Sequence, residues 1–290
     1  MKRRSFWVVL LALSVAALGC ALPGQGQAEQ AVDLAATAAA GIEDLADEQA
    51  QEAEPPAADD APDVLPAGSD TFLYQGSSLE QFDTYVARFE MTFDGTNLSG
   101  QPATLRMVND LQGQRDPLIF AMRNEFTGTG IDAVDALPSE SGSIYLINTP
   151  EKSYFETISG IDRYCIAVPA GGLSDNLDTM SFDVDDFINP EGTDAPELHL
   201  VNASEQVNGV ETAHYRAENV QTDSNIQNAT IDLWYSSQLG YVVRIEMVGD
   251  GDIPEFGSGT INVVYDVLSV NQGIEVVIPE NCNEFAIPQG

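Results

Sequence analysis

The side chains that carry most enzyme chemistry are few in this chain, and they do not fall at working spacings. It holds two histidines, His199 and His214, and three cysteines, Cys20, Cys165 and Cys282. No His-x-x-x-His or Cys-x-x-Cys occurs, so the pairing that brings two zinc ligands together is missing. No Gly-x-Ser-x-Gly elbow is present to expose a nucleophilic serine, and no P-loop to cradle phosphate. Gly249-Asp250-Gly251-Asp252 reads as a turn. Asp183, Asp185 and Asp186 lie near Asp178, and hard oxygens suit calcium. That stretch lacks the glycine and closing glutamate of an EF-hand loop, which leaves a solvated acidic cluster as the plainer reading. The expectation is a non-enzymatic protein with no catalytic residue, metal or cofactor.

The remaining chemistry belongs to the cysteines. Lys2, Arg3 and Arg4 open the chain, and an apolar run from Phe6 to Leu18 is broken only by Ser14 before Gly19 and Cys20. A basic start followed by an apolar run too short to span a bilayer comfortably is the layout of a secretory signal over residues 1–20. Ala17-Leu18-Gly19-Cys20 resembles the lipobox of bacterial lipoproteins, in which the cysteine is lipidated and becomes the new N-terminus. Leu18 stands two residues before the cysteine, where the family's leucine stands three before. That resemblance implies lipidation at Cys20. An ordinary signal cleaved nearby and an uncleaved anchor are the alternatives. Several acyl chains on one residue hold a protein on a membrane firmly, at about 0.8 kcal/mol per buried methylene. The expected location is the extracytoplasmic face of the cell membrane. With Cys20 assigned to the anchor, Cys165 and Cys282 are an even pair in an exported chain, which reads as one disulfide.

The formal net charge is -35 and the isoelectric point is near 4.1. Removing the signal removes three cations, so the mature chain is more acidic still. Such a surface repels nucleic acid and anionic headgroups and favours a soluble monomer. Residues 21–69 contain no Lys, Arg or His and are rich in Ala, Glu, Asp, Gln and Pro. They offer little to build a core and read as a disordered acidic tether, extended by its own charge.

From residue 70 to 290 a folded domain is expected. Tyr85, Ala87, Phe89, Met91 and Phe93 alternate with Arg88, Glu90 and Thr92, the period of a half-buried strand. Ile231, Leu233 and Tyr235 share one face of a strand. Tyr241, Val243, Ile245 and Met247 share a face of the next, and Ser236-Ser237-Gln238-Leu239-Gly240 is the turn between them. Residues 261–267 form a further strand, and Thr149-Pro150-Glu151-Lys152 joins another hairpin. Ser78 to Phe82 suggests a capped helical turn, and Asp178 to Phe187 is the best internal helix candidate, closed by Asn189-Pro190. His214 alternates with Tyr215 and is assigned to the polar face, as is Trp234. A face that is apolar on every strand must be covered, either as a plain core or partly around a ligand.

The C-terminal half carries a family pattern. Val207-Asn208-Gly209-Val210-Glu211-Thr212-Ala213-His214-Tyr215 precedes Ile231-Asp232-Leu233-Trp234-Tyr235. Gly240-Tyr241-Val242-Val243-Arg244-Ile245-Glu246 follows, and Tyr265-Asp266-Val267 leads to Val270-Asn271 and Ile278-Pro279. The order resembles the LolA/LppX/LprG type of bacterial lipoprotein over about residues 79–279, best from 207 onward. The resemblance implies a β-rich α+β domain: a single curved antiparallel sheet, a half-barrel, wrapped over a few helices. It also implies an apolar cavity for acyl lipid or lipoprotein acyl chains. The inward candidates are Phe89, Met91, Tyr215, Ile231, Leu233, Val243, Ile245, Val263 and Tyr265. The competing expectation is a structural or interaction lipoprotein whose core is packed and binds no lipid.

Overall fold

The computed structural model describes residues 71–72, 79–130, 141–170, 196–221, 226–253 and 257–284. Cys20, the signal expected over 1–20, the tether expected over 21–69 and the 178–187 helix candidate all lie outside them. Where the sequence alternates, the chain is strand. The strands are β1 (Thr71–Phe72), β2 (Thr84–Thr96), β3 (Pro102–Gln114), β4 (Ile119–Thr129), β5 (Ser141–Asn148), β6 (Lys152–Ser159) and β7 (Asp162–Pro169). They continue as β8 (Leu198–Val207), β9 (Val210–Val220), β10 (Ile226–Ser236), β11 (Tyr241–Ile253), β12 (Gly257–Val270) and β13 (Asn283–Glu284). All belong to one curved open sheet in the order β1-β8-β9-β10-β11-β12-β2-β3-β4-β5-β6-β7-β13. Every neighbour is antiparallel except β13, which pairs parallel with β7.

This corrects the expected α+β class. Among the described residues the only helical element is a single 3-10 turn, Leu79–Gln81, at the site of the expected capped turn. The physical reason lies in the connections. Residues 97–101, 115–118, 149–151, 160–161, 208–209 and 237–240 are tight links between antiparallel neighbours. Helical crossovers belong to parallel pairings, which need a dozen or more residues to return. Two meanders, β2 to β7 and β8 to β12, are stitched by β12 against β2, where Tyr265 faces Phe89 and Val263 faces Met91. The 3-10 turn buries Leu79 and delivers Phe82 edge-on to Tyr241, ring centroids 5.4 Å apart.

Gly249 to Asp252 is not a turn but part of β11. Its glycines are there for their missing side chains. A Cβ on Gly251 would lie 2.2 Å from Ile261 Cδ1, and one on Gly249 would lie 2.6 Å from Ile226 Cγ2. Larger residues there would evict two buried isoleucines.

The C-terminal tail leaves β12, is pinned where Asn271 Oδ1 accepts from the Asp83 N–H, and ends beside β7. There Cys165 and Cys282 sit at disulfide distance, with Cα atoms 4.6 Å apart. Lys152 Nζ pairs with Glu284 Oε1 at the same place.

The polar face is a ladder of ion pairs. Arg88 forks onto Asp110, Arg216 onto Asp232 and Arg244 onto Asp266, each directly across a strand pair. Arg106 meets Glu90, Arg123 meets Glu125, Arg163 meets Glu156 and Arg115 meets Asp83. With Lys152–Glu284, these pairs take up every Lys and Arg after the three at the start of the chain. The domain's own cations are thus self-neutralised, and the excess charge it shows to a partner is negative.

Candidate functional site

Strand register decides which side chains share the apolar face, because residues directly opposite on neighbouring strands point the same way. Tyr215 lies opposite Leu233, Leu233 opposite Ile245, Ile245 opposite Tyr265, and Tyr265 opposite Phe89. One pleat along, Ile231, Met247, Val263 and Met91 form a parallel row. All of these are buried, from 0% exposed at Leu233 and Tyr265 to 6% at Met91. Burying a side chain of this size from water contributes about 1.5–3 kcal/mol each, so the rows dominate the domain's cohesion. Eight of the nine inward candidates therefore meet on two adjacent rows.

Val243 does not join them. Trp234 pairs with Arg244, but the next residue, Tyr235, pairs with Val242, so the register slips and Val243 is the extra residue of a bulge. It packs with Val207 and Trp234 instead, flanked by Val210 and Leu239.

The same rows hold residues the sequence reading passed over. Beyond Phe89 the first row runs on through Asn109, Asn124, Ile144, Thr157 and Tyr164. Asn109 is 8% exposed and Asn124 3%, and Asn124 Nδ2 donates to Asn109 Oδ1 at 2.5 Å. Thr157 is buried, and Tyr164, on outermost β7 apart from the short β13, is 40% exposed. The face is therefore apolar across β9 to β2 and carries a polar seam from β3 toward β7. The signal was present as Leu105, Met107, Asn109, Leu111 and Met122, Asn124, Phe126, where an asparagine occupies an inward position of each alternation. At the other side a groove of about 640 Å³ borders the face at Leu200, opposite Tyr215, and at Ala217, opposite Ile231. His199 and Arg216 line its polar wall.

On the polar face, His214 and Trp234 lie where the alternation put them. The two rings stack 4.3 Å apart at 13°. His214 Nε2 lies 2.6 Å from Asp232 Oδ1 and Nδ1 lies 3.2 Å from Glu205 Oε1. Trp234 Nε1 donates to Glu205, and the Arg244 guanidinium sits 5.9 Å from the indole centroid. Burial pushes the Asp232 carboxyl up, but the hydrogen bonds and charges of Arg216 and His214 outweigh it and hold it below its ordinary value. The group ties β8, β9, β10 and β11 together, and every member has a structural partner. Among the described residues no group of three or more His, Cys, Asp or Glu side chains is placed to hold a metal ion. The Asp178–Asp186 cluster lies outside them.

Neither a protein-family model nor a curated protein matches the sequence. Among solved structures, a hypothetical protein from Chlamydia trachomatis is similar over 71% of this chain and all of its own, at 10% identity and a TM-score of 0.21. A likeness that weak carries no argument about fold or function.

Proposed function

We propose that this chain is an exported, non-enzymatic lipoprotein of the envelope, held at the extracytoplasmic face of the cell membrane by lipid on Cys20. In this reading its sheet holds acyl chains against the rows of Phe89, Met91, Tyr215, Ile231, Leu233, Ile245, Val263 and Tyr265. One observation carries the reading: the apolar residues form unbroken rows from β9 through β2, matched in register strand by strand. Such a surface has no use for water and suits hydrocarbon. The excess of carboxylates over the ion pairs opposite keeps the loaded domain soluble and off anionic headgroups. The order of C-terminal phrases resembling the LolA/LppX/LprG type agrees with this reading.

A second reading has its own support. The row residues are already 0–6% exposed in the chain alone, as they would be in a packed core that binds nothing. Function would then rest on contacts made by the polar face. Purification of the full chain from an oxidising compartment, followed by native mass spectrometry and solvent extraction, separates the two. Acyl lipid at about one per protein supports the carrier. A clean apo mass that stays clean after incubation with membranes refutes it and leaves the interaction module.

A further inference from the structure

A primary amide has a carbonyl that accepts and two N–H groups that donate. The hydrogen bond between Asn124 Nδ2 and Asn109 Oδ1 uses one of each. Among the described residues the two amides make no other hydrogen bond, which leaves the Asn124 carbonyl and the Asn109 amino group without partners. Both side chains are more than nine-tenths buried on an otherwise apolar row. Unmet polar groups in such a place are costly, so a fold seldom keeps them without a use. They are not sealed off either: the one polar side-chain atom wholly buried without a partner among the described residues is Gln112 Oε1. The free amide atoms therefore keep a small solvent-accessible area.

We infer that the Asn109–Asn124 pair is the recognition point for the linkage of an acyl lipid, and that this linkage is uncharged and offers both a carbonyl acceptor and an N–H or O–H donor. The inference rests on the acyl-binding reading and names its ligand class. The Asn109 amino group donates to the ligand's carbonyl, and the Asn124 carbonyl accepts from its N–H or O–H. The chain lies toward Phe89 and Tyr265, which continue the same row on the apolar side. The polar remainder points along Thr157 toward Tyr164, where the row becomes exposed. A charged headgroup is disfavoured, because each Lys and Arg of the described residues already has a carboxylate partner. An N-acyl amide and an acylglycerol with a free hydroxyl both meet the requirement.

The test uses the full processed chain and four probes of equal chain length: a monoacylglycerol, an N-acylethanolamine, a fatty acid methyl ester and an n-alkane. Binding is read by titration calorimetry and native mass spectrometry. The first two should bind about 10- to 100-fold more tightly than the alkane, with the methyl ester between them, since each buried polar group left unpaired weakens binding by about tenfold or more. Whichever of the two binds tighter identifies the source. N109L/N124L, which keeps the volume and removes the polarity, should bind all four alike while still taking the alkane. Equal binding of the four probes by the native chain overturns the inference alone. A preference that survives in N109L/N124L with an unchanged melting temperature also overturns it. If no probe binds the native chain, the acyl-binding reading itself fails. Should the double variant not fold, the native chain's ranking of the probes still decides.

Discussion

Breaking the Cys165–Cys282 link by reduction frees a loop whose ends are 117 positions apart. In the chain-entropy view, closing such a loop lowers the entropy of the unfolded chain by about 16 cal/mol/K, which is about 4.9 kcal/mol at 25 °C. The other tail contacts do not replace it. Lys152–Glu284 is an exposed pair, and surface ion pairs contribute about 0–1 kcal/mol. The parallel bridge of β13 to β7 is two residues long. For a folded domain of roughly 220 residues, the entropy of unfolding near the midpoint is about 0.46 kcal/mol/K. The expected loss is therefore about 10 °C in Tm, read by differential scanning calorimetry with and without a phosphine reductant. C165S/C282S should melt where the reduced protein melts. Before reduction, unfolded C20A protein should show no thiol reactive toward an aromatic disulfide reagent. A Tm change under about 2 °C, or two reactive thiols in the untreated protein, would refute the reasoning.

Cys20→Ala should move the protein from the membrane to the soluble fraction, and unchanged retention after alkaline washing would remove the lipid anchor from the account. Leu233→Ala deletes a side chain that is 0% exposed and should cost about 2–5 kcal/mol by chemical denaturation. Leu98→Ala, at a position 66% exposed, should stay within about 0.5 kcal/mol. Asp232 has its folded-state pKa below the ordinary carboxylate value, so its pairing with Arg216 and His214 stabilises fully above about pH 4 and is lost as pH falls through the lower folded value. The native protein should therefore lose more Tm than Asp232→Asn as the pH is lowered from about 5 to the acid limit of folding; parallel curves for the two proteins would remove Asp232 from the acid response.

Period-2 alternation was enough to read the strands around Phe89, Leu233 and Tyr265, because a side chain's face in an extended chain depends only on its own neighbours. The β10–β11 hairpin and the polar side of His214 and Trp234 were legible for the same local reasons, whereas the pairing of Cys165 with Cys282 came from counting cysteines in a chain expected to be exported. Val243 was misread because a bulge is a property of two strands together: its face was set when Tyr235 paired with Val242. The helices implied by family resemblance were not found among the described residues, where links such as 115–118 and 237–240 are too short to house one. Gly249 and Gly251 looked like turn residues until Ile226 and Ile261 were seen filling the space above them.

Composition and pattern by themselves determined an acidic chain with a basic and apolar start, a segment over 21–69 poor in core-forming residues, and a strand-rich region without catalytic spacing. Only the tertiary structure decided that β12 pairs with β2 and so joins two meanders into one sheet. It alone placed Asn109 beside Asn124, in line with Phe89 and Tyr265. The physical reason is that alternation is written in one strand, whereas register is chosen between strands by the whole set of cross-strand contacts. A polar residue in an apolar alternation remains ambiguous until its neighbour across the sheet is known.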